Sequence, residues 1–219
     1  MQKFFQDAVE FTPILLEGAW ATILVTLGSL VLSTLLGLIW ALMRISGNRW
    51  LDRVAIVFIN FIRGVPIIVQ LFYIYFVMPD FGVSLTAMQA AIIGLGIAYS
   101  AYQAENFRAG IEAIDHGQVE AAQSIGMGWF LTMRRVILPQ AFRIVLPPYG
   151  NTMIMMLKDS SQASTITVAE LALQGKLIAA STFKNTTVFT LVAVFYLVMC
   201  IPLILLVARL EKANSGGRR

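Results

Sequence analysis

Glu105, Asp159, Ser160, Ser161, Ser164 and Gln70 are the residues of this chain best suited to hold a polar solute, because they stand in or beside long apolar runs. An ionisable side chain at the middle of a hydrocarbon span costs about 2.5–3.5 kcal/mol on insertion scales unless it faces a cavity or a partner. Such a group therefore has either a function or a counter-ion. Glu105 precedes Arg108 by three residues, a spacing that on a helix also makes an ordinary surface salt bridge. Asp159 and the three serines follow an apolar run containing Pro147, Pro148 and Gly150, where uncoiled backbone and hydroxyls can bind a charged solute. The same residues read equally well as a helix cap and a loop. Gln70 and Asn151 are weaker candidates of the same kind.

Bond-breaking chemistry finds little support. HExxH, GxSxG and a paired intramembrane aspartate are all missing from the sequence. Cys200 is the only cysteine, so no intrachain disulfide, CxxC pair or cysteine-built zinc site can form, and in its apolar run it reads as an inert packing residue. His116, the only histidine, has no ligand-spaced cysteine or carboxylate cluster around it and reads as a solvated turn residue. No catalytic residue and no metal site are expected.

Residues 120–139, EAAQSIGMGWFLTMRRVILP, suggest protein recognition instead. The spacing is Glu120-Ala121-Ala122, three residues, Gly126, nine residues, Val136, one residue, then Leu138-Pro139. Ala121, Ile125 and Trp129 recur at helical spacing, and Gly126 permits a sharp change of direction, so two short helices at an angle are predicted. The small Ala121 and Ala122 would let a groove on another protein approach closely, and Glu120 suits the positive end of a helix dipole. Pro139 should start the following span or end the loop. The alternative is an amphipathic helix lying on lipid, although such helices are usually rich in Lys and Arg, and here Arg134 and Arg135 come only later.

The elements that position these residues are membrane spans. The chain is 58% hydrophobic and 13% charged, with mean hydropathy +0.77, far from the balance of a soluble domain. Its 219 residues leave room for one all-α bundle of about five spans of roughly 20 residues, hence a single domain over residues 1–219 with a polar connection at about 112–140. The spans read as residues 20–43, 54–78 (interrupted by Arg63-Gly64-Val65-Pro66, so a short surface helix and then a true span), 87 to about 108, 144–157 and 188–208. All the arginines and Lys212 fall on one side of this arrangement and only Lys3, Lys158, Lys176 and Lys184 on the other, which by the positive-inside rule puts the N-terminus outside and the segment holding Glu120 in the cytoplasm. The net charge of +4 lies at span ends, not along a basic stripe with interleaved aromatics, which argues against nucleic acid. The N-terminus lacks the basic start and cleavage site of a signal peptide and is expected to be retained. Ser29, Ser33, Gly37 and Ala41, and likewise Ala90, Gly94 and Ala98, recur every four residues, a pattern for close helix packing within the chain.

Residues 120–139 resemble the cytoplasmic EAA loop of ABC importer permeases, and further strings match the polar amino-acid branch of that family. FIRGVPIIVQLF at residues 61–72 is similar to FRGTPLLVQLF, and AYQAENFRAGI at 101–111 to AYxAExxRxGI. DHGQ at 115–118 and LKDSS at 157–161 also match. Together they cover roughly residues 20–210, with Val65 standing where Thr or Ser is usual and Val136 where Ile is usual. The resemblance implies a type I ABC importer (MetI-like) bundle in the bacterial inner membrane, moving polar amino acids. It implies two cytoplasmic ATP-binding cassette subunits gripping Glu120, Ala121, Ala122, Gly126, Val136, Leu138 and Pro139. A second permease subunit, identical or homologous, and a periplasmic or lipoprotein amino-acid-binding protein complete the implied assembly. The chain has no GxxxxGK(S/T) loop, so ATP and Mg would be held by the partner and no cofactor by this chain. A stand-alone secondary transporter or channel is the competing class, for which a longer chain with inverted repeats or mid-span carboxylates is expected.

Overall fold

Helix α1 (Gln2–Ile45) begins far before the first expected span, and the reason lies in its opening turns. Phe11 and Leu15 are buried against Leu171, Ile178, Val188 and Val192, so tertiary burial supports these turns as helix. Lys184 also ties this end down by donating to Asp7 at 2.7 Å, and that hydrogen bond raises the pKa of its ammonium. The structure, a computed structural model, describes residues 2–215, and all regular structure among them is helical.

After Asn48, whose side chain accepts from the Trp50 amide, α2 (Arg49–Gly64) runs to Pro66 and α3 (Ile67–Phe72) continues through a π segment (Tyr73–Val77) and a 3-10 turn (Met78–Phe81). The two parts are bent by 98°, in line with a surface helix followed by a separate span. Pro66 has no amide to donate, and Gln70 supplies donors instead: its Nε2 reaches the carbonyls of Ile62 and Val65, both at 2.9 Å.

Helix α4 (Ala87–Glu112) is the centre of the bundle, started by a reciprocal cap between Thr86 and Gln89. Its Leu95 and Tyr99 pack with Val25, Leu71, Met156 and Ile166 in the main core. Ser29, Ser33 and Ala41 are buried, Ser29 donates to the Ile92 carbonyl at 3.2 Å, and Gly37 meets Gln103 and Ala104, so this small-residue stripe is the seam between α1 and α4. A Cβ on Gly37 would lie 2.7 Å from that of Gln103 and 3.2 Å from the Ala104 nitrogen and the Ser100 oxygen, so backbone would have to move. Gly37→Leu is expected to cost about 3 kcal/mol by overpacking, or roughly 6–12 °C in the melting temperature of the purified protein. An unchanged melting curve would contradict this seam.

Helix α7 (Leu138–Asp159) departs from expectation in one respect. It is continuous through Pro147 and Pro148; Pro139 stands in its opening turn, as the sequence predicts. Packing between α4 and α9 holds this stretch in helix, and within it Thr152 donates its hydroxyl to the Pro148 carbonyl at 2.9 Å. A 3-10 segment (Ser160–Ile166), α8 (Leu171–Thr182) and α9 (Asn185–Ser215) complete the chain. Among the described residues, two helices are long and apolar enough to cross a membrane, or three if the bent pair is one span. Helices α4 and α7 have 26 and 22 residues, enough length for a bilayer, but Gly94, Gly96, Ser100 and Gln103 in the one and Arg143, Asn151 and Thr152 in the other make them less apolar than α1 and α9.

Candidate functional site

Asp115 caps α5 (His116–Ser124), accepting from the Gly117 amide at 2.7 Å. The helix ends in a left-handed Gly126 with φ +81°, where the Met127 amide donates to the Ala122 carbonyl (3.0 Å) and the Gly126 amide to that of Gln123 (2.9 Å). This pair of bonds is the Schellman termination, which fills the carbonyls at the helix end and requires a residue tolerant of positive φ. The chain then re-enters helix at α6 (Trp129–Thr132) and passes without a break through a π segment (Met133–Ile137) into α7. The elbow is thus one free-standing helix and one arm that is the beginning of a long bundle helix, where two short helices were expected. Val136, Leu138 and Pro139 lie on that arm.

The elbow is fixed from inside and bare outside. Ile114, Ile137 and Ala141 are buried with Ile111, Val119 and Met133 around them, and Ala122 faces inward. Glu120, Ala121 and Gly126 are exposed, and Ile125, Trp129 and Phe130 are each more than two-thirds exposed. Among the described residues the Glu120 carboxylate has no ion-pair or hydrogen-bond partner; only its backbone carbonyl is engaged, by Ser124. A bare apolar row around an unpartnered carboxylate on a rigid arm can receive a protein and pass its motion into α7.

The residues predicted to bind solute separate into two places. Asp159, Ser160, Ser161 and Ser164 come together at the junction of α7 and the 3-10 segment. Asp159 accepts from the Tyr99 hydroxyl at 2.7 Å, Ser160 donates to the Leu157 carbonyl, and Ser164 accepts from Lys176 at 3.1 Å. Glu105 and Gln70 are elsewhere. Glu105 sits between Arg44 (3.1 Å) and Arg108 (2.6 Å), in a chain of ion pairs that Asp52 (2.7 Å from Arg44) and Glu112 extend, joining the ends of α1, α2 and α4 beside the elbow. Gln70 holds the bend described above. A cavity of about 520 Å³ lined by Thr34, Phe107, Phe142, Val145 and Tyr149 is almost wholly apolar and lies about 15 Å along α7 from Asp159, so it does not suit a zwitterion.

Three polar features escaped sequence reasoning. Tyr99 lies fully inside the core and its role shows only through its bond to Asp159. Glu170 is wholly buried, caps α8 by accepting from the Ala172 (2.9 Å) and Leu173 (2.8 Å) amides, and also accepts from the Tyr196 hydroxyl at 3.0 Å. Glutamate is not a usual N-cap, so its type gave no signal. Gln103, Asn106 and Thr152 form a buried chain between α4 and α7, in which the Nε2 of Gln103 finds no acceptor.

Residues 33–215 match the family described as binding-protein-dependent transport system inner membrane component. The chain is 40% identical over 193 residues to a probable amino-acid ABC transporter permease protein, YckA, of Bacillus subtilis, covering 88% of this chain and 85% of that protein. It is 38% identical over 202 residues to the glutamine transport system permease protein GlnP of Escherichia coli, covering 91% and 92%. In three dimensions it is similar to a chain from the crystal structure of an amino acid ABC transporter with histidines, at a TM-score of 0.89 and 38% identity over 95% of this chain and 98% of that one. The methionine ABC transporter MetNI in an inward-facing conformation shares the fold at a TM-score of 0.78 and 23% identity, covering 92% and 96%.

Proposed function

The chain belongs to the family of binding-protein-dependent transport system inner membrane components, and from this premise we propose that it is the permease subunit of an importer for polar amino acids in a bacterial inner membrane, driven by ATP that a separate subunit hydrolyses. The observation that carries the ATP-driven reading is the exposed elbow. It offers Glu120, Ala121 and Gly126 with the bare side chains of Ile125, Trp129 and Phe130, on an arm continuous with α7. Two cytoplasmic ATP-binding cassette subunits, holding ATP and Mg, grip one elbow each. Ala122, buried on the underside of α5, and Val136, Leu138 and Pro139 on the arm transmit the motion. A second permease, identical or homologous, pairs with this one, and a periplasmic or lipoprotein binding protein delivers the amino acid. The N-terminus is outside and the elbow in the cytoplasm, in agreement with the arginines gathered at the elbow end.

For the solute, Asp159 with Ser161 and Ser164 forms the amino-acid contact, the carboxylate meeting the ammonium and the hydroxyls the carboxylate, and Ser160 joins only where the solute frees its hydroxyl from the Leu157 carbonyl. Glu105 and Gln70 join it only where the solute displaces partners they already hold, Arg44 and Arg108 for the one and two backbone carbonyls for the other. The test is amino-acid uptake by vesicles reconstituted with the full complex. Uptake should continue when ionophores collapse the ion gradients and stop when ATP is removed. Uptake that survives without ATP and collapses with the gradient would replace this reading with a secondary transporter.

A further inference from the structure

Helix α2 has two apolar faces and only one of them is covered. Ala55, Ile59 and Ile62 are buried, the last two packing with Ala101 and Ala104 of α4 beside Trp40 of α1. On the other side Trp50, Val54, Val57 and Phe61, at steps of four, three and four residues, form a row that is 75%, 53%, 68% and 67% exposed. They border a shallow groove of about 510 Å³. Beside this row runs a polar edge of Arg49, Arg53 and Asn60, all exposed, with the Arg53 guanidinium 5.9 Å over the Trp50 ring. Among the described residues neither arginine has a carboxylate partner, and both stand in the first turns of a helix, where the dipole disfavours cations. Stability of the isolated helix does not explain them.

Placement supplies the missing partner. The 98° bend means that with Ile67–Phe81 running through the bilayer, α2 lies near its plane. Its first turn is pinned at the end of α1 by the Arg44–Asp52 pair, the same end from which α5 emerges. An apolar row flanked by unpaired cations, lying in that plane, has the layout of a helix that enters the border between acyl chains and headgroups. A second copy of the chain fits less well, because an isologous contact through this row would bring two Arg49–Arg53 edges into one interface with no carboxylate on either edge. We propose that α2 carries a binding site for anionic phospholipid in the leaflet on the elbow side. Acyl chains cover Trp50, Val54, Val57 and Phe61, and phosphates lie on Arg49 and Arg53. This rests on the membrane family, not on the ATP-driven reading, so either can fail alone.

A nitroxide at Val57→Cys, in a Cys200→Ala background, reports what covers the row in the assembled transporter held in vesicles of phosphatidylcholine and phosphatidylglycerol. Collisions with oxygen should outnumber those with a water-soluble nickel chelate at Val57, and the order should reverse at Asn60→Cys. Exclusion of both relaxants at Val57 would mean that protein covers the row, and ready access of nickel would mean water; either overturns the proposal. The headgroup half is read by native mass spectrometry of the complex equilibrated with the same two lipids. Arg49→Gln with Arg53→Gln should hold fewer phosphatidylglycerol molecules per chain at unchanged phosphatidylcholine, and equal retention of phosphatidylglycerol would overturn it.

Discussion

Replacing Gly126 with valine is expected to leave the chain inserted and paired while amino-acid uptake falls at least tenfold and ATP hydrolysis by the complex no longer follows substrate. The residue sits at φ +81° with open space around it, so a side chain meets no neighbour and the whole effect comes from backbone. A β-branched residue held in that region costs of order 1–3 kcal/mol, which the elbow relieves by abandoning the Schellman turn and re-aiming α5. Because Ile114, Ile137 and Ala141 hold the inner side, the change is confined to the surface that a partner touches. Glu120→Lys tests the same surface without backbone strain: its carboxylate has no partner among the described residues, so folding should be untouched while docking suffers from reversed charge. Wild-type uptake in both variants would remove the elbow from the coupling path.

Asp159→Asn carries the second large effect. The substitution keeps size and leaves an oxygen to accept from Tyr99, so the bond of 2.7 Å can persist and the fold should melt within a few degrees of the parent. What it removes is charge. A charge-assisted hydrogen bond to an ammonium is worth about 1.5–3 kcal/mol, so uptake should fall by roughly 10- to 150-fold. Tyr99→Phe leaves the carboxylate in place to meet the ammonium, so its uptake should fall less than that of Asp159→Asn. Were Asp159 only the end of a helix, the asparagine variant would transport as well as the parent and Tyr99→Phe would be the more damaging change to stability.

The parts of this molecule that could be read in its residues are those where spacing alone carries the physics. The EAA segment with its Gly126 turn, the break at Gly64-Val65-Pro66 and the Ser29-Ser33-Gly37-Ala41 stripe each follow from local conformational rules, and the structure has a turn, a bend and a helix seam at those places. The opening turns of α1 depend on α8 and α9, some 160 residues later, and no local pattern announces that. Helix α7 misled in the opposite direction. Pro147 and Pro148 argue for a break in isolation, but packing between α4 and α9 keeps the helix whole. Glu105 shows how a correct observation admits two meanings. Its spacing to Arg108 was visible, but Arg44, 61 residues away in sequence, makes it the middle of a network and not half of a pair. Buried Glu170 lay outside the reading because its partners are two amides and a tyrosine 26 residues on.

The most direct measurement is a cross-link from the elbow. Ala121 is exposed on α5, and Ala121→Cys in a Cys200→Ala background gives the chain a single thiol there. In membranes holding the whole transporter, a short thiol-reactive cross-linker should join this position to the ATP-binding subunit, with a yield that changes when nucleotide is added. A thiol that an impermeant reagent reaches from the external side of intact cells, or a transporter that imports its solute with no ATP-binding subunit joined to this position, would contradict the account.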